Sequence, residues 1–147
     1  MLDAGAKVLV DEASLWKDGA FPTTVLLVRS QFLAEHPDTV KDLVAANTDS
    51  VNWLTGHPDE AASVINKKLT ADTGKALSDA VIARALTKVT FTTDPLATTF
   101  PVLLKAGVTV GTAKAGDLNG LFDLAPLNDV LAKAGAKPVS AGGLGTE

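Results

Sequence analysis

His36 and His57 are the only histidines in the chain, 21 residues apart, and a spaced pair of imidazoles invites a metal reading. Each, however, stands directly before a proline: His36-Pro37-Asp38 and His57-Pro58-Asp59-Glu60. A residue before proline is pushed out of the α region, and proline is well placed at the first position of a helix, so a helix start explains both histidines. No helical His-x-x-x-His spacing and no cysteine supports a metal site or a reactive nucleophile. Asp11, Glu12 and Asp18 lie close in sequence and could form a general acid/base set, but they fall in a polar stretch where solvated carboxylates are the common case. Trp16 in the same stretch either lines a cleft or packs over the edge of its domain. Thr23 and Thr24 either donate hydroxyls to an anionic ligand or serve as good strand formers. We take Trp16, Thr23 and Thr24 as the candidate ligand-binding residues, with no catalytic residue, no metal and no cofactor. Gly-x-Ser-x-Gly, a Walker loop and a dinucleotide fingerprint are all missing from the sequence. Gly142-Gly143-x-Gly145 has no strand before it and does not qualify as the last.

The bulk composition narrows the classes further. The chain has 147 residues, 13 Lys and Arg against 17 Asp and Glu, and a net charge of -4. An acidic chain without a Lys/Arg run lacks the cation cluster that a nucleic-acid surface needs to replace counterions. Hydrophobic residues make up 46% and charged residues 20%, ordinary values for a single globular domain. No apolar run approaches the roughly 20 residues of a membrane-spanning helix. The absence of cysteine excludes disulfides and thiolate zinc sites but fixes no compartment. Met1-Leu2-Asp3-Ala4-Gly5 shows neither the basic nor the apolar region of a signal peptide.

These residues must be positioned by a helix-dominated α/β arrangement of about six helices and two or three short strands. Leu2 to Ala6 reads as a helix end. Val8-Leu9-Val10, apolar throughout, predicts a strand buried on both faces. Asp11 to Pro22 is a loop, and Thr23 to Val28 is the best strand by β-branched content. A short helix from Ser30 or Gln31 ends before His36. The next starts at Pro37 with Val40, Leu43, Val44, Asn47, Val51 and Leu54 on its inward stripe, and ends at Gly56. A third starts at Pro58 with Ala61, Ile65 and Leu69 inward and breaks between Thr70 and Gly74. Ser78 caps a fourth running to about Val89. Thr93 or Asp94 caps a helix at Pro95. Pro101 kinks that helix or marks a fresh start after Thr98 or Thr99. Val108 to Gly116 is a loop with Val108-Thr109-Val110 as an optional third strand. The last helix runs from Leu124 to Ala134 and stops at Gly135. The glycine-rich tail from Ala141 reads as flexible. So few strands make either a mainly helical fold or a sheet that a further segment completes.

The order Val8-Leu9-Val10-Asp11-Glu12, then Phe21-Pro22-Thr23-Thr24-Val25, then Phe32-Leu33-Ala34-Glu35-His36-Pro37 resembles a passage of extracytoplasmic solute-binding proteins of ABC importers. The resemblance is to the aliphatic sulfonate, taurine and nitrate group, with the type II periplasmic-binding-protein fold. Phe91-Thr92-Thr93-Asp94-Pro95 and the stretch 117–128 are similar to later passages of that group, while Pro101 departs from its usual continuous helix. The resemblance begins close to Met1, so it implies a C-terminal half: residues 1–29 as the end of the second lobe and the hinge strand, and 30–147 as the helical portion returning to the first lobe, with any export signal upstream. It implies an extracytoplasmic parent, no catalysis, a sulfonate-like small anion as ligand and an ABC membrane permease as partner. The exposed strands imply self-association of the fragment. Two rival readings are a thiamine-pyrimidine synthase-like enzyme on the same fold and a standalone helical interaction domain.

Overall fold

The computed structural model describes residues 5–147. The helix end expected over Leu2 to Ala6 lies for the most part outside the described residues. Among the described residues the α-helices are α1 Ser30–Glu35, α2 Pro37–Gly56, α3 Pro58–Thr73, α4 Asp79–Leu86, α5 Phe100–Val110 and α6 Ala125–Lys133. Two short strands, β1 Phe122–Asp123 and β2 Gly145–Thr146, pair in parallel. The helix-dominated α/β class expected from the sequence holds. The chain divides into two compact units. One contains the chain up to Arg29 with Asp94–Ala125 and Pro138–Glu147; the other contains Ser30–Thr93 and Pro126–Lys137.

The second unit is built on two helix joints of one design. At His36 (φ -135°, ψ 54°) and His57 (φ -130°, ψ 59°) the backbone leaves the helical region for a single residue. The histidine N–H donates back to the preceding helix, His36 to the Phe32 carbonyl at 2.8 Å and His57 to the Trp53 carbonyl at 2.9 Å. The histidine carbonyl then accepts the first bond of the next helix, from Val40 at 3.1 Å and from Ala61 at 2.8 Å. Proline at the start of each following helix costs no hydrogen bond, because that N–H lacks an intrahelical partner anyway. Asp38, and Asp59 with Glu60, place negative charge in the first turns, where the helix dipole favours it. The rings reinforce the joints. Phe32 packs on His36 at 4.8 Å, and Trp53 stacks on His57 at 5.2 Å with the planes 15° apart. His57 Nδ1 lies 2.9 Å from the Trp53 carbonyl, which can only accept, so this contact puts a proton on Nδ1.

The buried residues of this unit are Val40 and Thr48 of α2, Ala61 of α3, Ile82 of α4 and Leu131 of α6. On α2 the inward stripe follows Val40, Val44, Thr48 and Val51, while Asn47 and Leu43 are exposed. Thr48 tolerates burial because its hydroxyl donates to the Val44 carbonyl at 2.9 Å. α3 continues through the expected break and ends at Thr73, with Gly74 in the left-handed region (φ 72°) as its cap. Asn66 then ties the following loop to α3: its amide donates to the Leu77 carbonyl at 2.7 Å and its oxygen accepts from the Leu77 N–H at 3.1 Å. Ser78 stands at the start of α4 as expected but makes no side-chain capping bond.

The first unit departs more from the sequence reading. Residues 8–10 and 23–28 form no strand. Pairing is what makes a strand, and these stretches make no backbone pairing with another segment among the described residues. Leu9 remains 95% exposed and Leu27 79% exposed. No helix starts at Pro95. Asp94 instead accepts the Leu96 N–H at 2.8 Å, closing a tight turn with Leu96 in the left-handed region (φ 55°), and a 3-10 turn over Ala97–Thr99 leads into α5. Pro101 then sits in the first turn of α5, the fresh start that was one of its two expected roles. Val108-Thr109-Val110, read as a loop or strand, is the last turn of α5, capped by Gly111 (φ 79°).

The tail is also ordered, against expectation. Ala141 is fully buried and β2 lies beside β1. The Phe122 N–H donates to the Leu144 carbonyl at 3.3 Å, and the Leu124 N–H donates to the Thr146 carbonyl at 2.9 Å. Phe122 also meets Phe100 edge to face at 4.9 Å. Two glycines allow the approach. A Cβ on Gly145 would fall on the Phe122 carbonyl, and a Cβ on Gly142 (φ 59°) would stand 2.7 Å from Thr98 Cγ2.

The geometry sets the expected cost of several substitutions. Gly142→Val forces a β-branched side chain into the left-handed region and against Thr98, and should cost about 1–3 kcal/mol in urea unfolding. Gly143→Asn, at a left-handed position with open space around it, should cost much less. Asn66→Ala, which removes both bonds to Leu77, should cost about 1–2 kcal/mol. Asp72→Asn, which breaks an ion pair whose two side chains are 73% and 54% exposed, should leave the unfolding midpoint nearly unchanged.

Candidate functional site

The loop carrying Trp16 is folded tightly rather than open. Asp11 Oδ1 accepts the Ala13 N–H at 3.2 Å and caps a 3-10 turn over Glu12–Leu15. Ser14 adds a bond from its hydroxyl to the Asp11 carbonyl at 2.6 Å. The Trp16 N–H donates to the Ala13 carbonyl, and the Trp16 carbonyl accepts from Gly19 at 3.1 Å. Asp18 (φ 56°) and Gly19 (φ 70°) take left-handed conformations to turn the chain. This is the job of an Asp-Gly pair, since both residues tolerate that region.

Closing the loop brings Trp16 onto Phe21, centroids 5.6 Å apart and planes 18° apart. Trp16 is half-buried by this packing, and Phe21 likewise. Thr23 and Thr24 follow two and three residues beyond Phe21. Both are exposed, and neither hydroxyl has a hydrogen-bond partner among the described residues. From Thr24 to Val28 the backbone N–H and carbonyl groups are unpaired too, among the described residues. The stack is thus followed in the chain by a stretch of unused donors. Donors of this kind can hold an anionic oxygen.

The other sequence candidates are accounted for structurally. His36 and His57 are the helix joints described above. Asp11 is a cap, Asp18 a turn residue and Glu12 an exposed member of the 3-10 turn. Among the described residues no group of three His, Asp or Glu side chains is arranged to hold a metal ion.

The described residues also form depressions that the sequence reading missed. In the first unit a shallow trough of about 450 Å³ runs along α5, lined by Leu104, Lys105, Val108, Asp117, Leu118 and Leu144 among others. The spacing of 101, 104, 105 and 108 on one helical face is the available signal. It is lost when residues 108–116 are read as loop. In the second unit a polar groove of about 510 Å³ lies between α3 and α4, with Asp59, Ser63, Asn66, Lys67 and Asp79 on its walls. Neither depression includes Trp16, Thr23 or Thr24.

A model of the NMT1-like family matches residues 3–69. That family belongs to the solute-binding proteins of ABC transporters, so the match points to a solute-binding role in transport. The matched stretch covers the Trp16 loop, Thr23, Thr24 and both histidine joints. The passages at 91–95 and 117–128 lie outside it. No match was found among curated proteins or among solved structures.

The Trp16 platform is directly testable. In a Trp53→Phe background, Phe21→Ala should shift the Trp16 emission to longer wavelength as the indole loses its cover. A stack of this kind is worth about 0.5–1.5 kcal/mol. An unchanged emission maximum would show that Phe21 does not shield the indole.

Proposed function

We propose that this chain serves solute capture for an ABC importer, with a sulfonate-like or related small anion as the ligand and no catalytic step. The observation that carries the reading is the NMT1-like match over residues 3–69, which coincides with the stretch where exposed hydroxyls and unpaired backbone donors follow a stacked tryptophan. An oxyanion is held well by neutral donors, because hydrogen bonds to a charged acceptor are about twice as strong as neutral ones. Trp16 would supply the apolar wall, and Thr23 and Thr24 would supply donors.

In this reading residues 1–29 are the end of one lobe and the hinge strand, and 30–147 are the helical portion that returns to the other lobe. Two lobes closing over the solute would take their rotation in the hinge. The exposed apolar run Val25-Leu26-Leu27 supports that placement, since it has the composition of a strand and no ladder among the described residues. The working location is extracytoplasmic and the partner is a membrane permease. No helix among the described residues is long and apolar enough to cross a membrane, so membrane contact in this reading rests on the partner or on polypeptide other than these helices.

The test is a solute panel on the protein as its native gene encodes it, read by calorimetry. Taurine, short alkanesulfonates and nitrate should bind, and the matched alcohols and amines should not. Trp16→Ala should weaken the best ligand about tenfold, a loss of about 1.4 kcal/mol, and Thr23→Val or Thr24→Val should each weaken it several-fold. Binding of cations or neutral sugars alone would overturn the anion assignment. Binding of an anion with no response to these three substitutions would move the site elsewhere, and no binding by any solute would overturn the transport reading.

A further inference from the structure

We draw no further inference here: the strongest candidate, the shallow trough between α5 and the turn at residues 115–119, carries Lys105 and Asp117 together on its wall, so its charge selects no ligand class, and nothing in the structure shows what covers it.

Discussion

A helix satisfies its own backbone; a strand needs a neighbour to do so. That difference governs this protein. From Ser30 to Thr73 nearly every backbone bond is made within four residues, and each helix hands over to the next through one histidine. The second unit therefore needs only a modest set of buried side chains, Val40, Thr48, Ala61, Ile82 and Leu131, to hold α2, α3, α4 and α6 in place. Residues 24–28 have the opposite problem. Their side chains suit a strand buried on both faces, yet their N–H and carbonyl groups are unpaired among the described residues. An apolar stretch in that state stays solvated at a cost in exposed hydrophobic surface, with Leu27 at 79% and Leu26 at 50%.

The same difference decides what the sequence revealed. Helix boundaries were legible where their causes are local, as proline after histidine opens α2 and α3 and Gly135 with φ 68° turns the chain away beyond α6, but not at Pro95, where no helix starts. Strands were not legible, because β-propensity describes a surface that fits a pleat and does not supply the partner. Val8-Leu9-Val10 had the composition and lacked the neighbour. Phe122–Asp123 and Gly145–Thr146 had little strand composition but were brought together by the fit of Gly142 against Thr98 and of Gly145 against Phe122. Val108 to Val110 misled in the other direction. Its β-branched residues favour a strand, but they continue a helix already begun at Phe100 and closed by Gly111. Surrounding structure overrode a weak local preference at 108–110 and at the two short strands, whereas at 8–10 the pairing partner was lacking among the described residues.

The candidate site was legible in its residue types but not in its arrangement. Trp16 and the two threonines were visible as an aromatic and two hydroxyls on a polar stretch. The Phe21 stack and the Asp11 cap, which hold Trp16 half-buried, depend on a loop conformation set by Asp18 and Gly19. The histidines were legible in place and in role: the proline after each marked a helix start, and both stand at helix joints. Thr23 and Thr24 follow the stacked pair in the chain with their hydroxyls unpartnered among the described residues.

A self-sufficient helical unit and an unpaired extended stretch should differ sharply in how their amides exchange with solvent. Amide hydrogen exchange resolved along the chain measures that contrast directly. Residues 24–28 should exchange at close to the rate of an unstructured peptide, while the central amides of α2 and α3 should be strongly protected. Protection at 24–28 equal to that of α2 would mean that the stretch has found a ladder. Neither the unpaired strand nor the free donors beside Trp16 would survive that result.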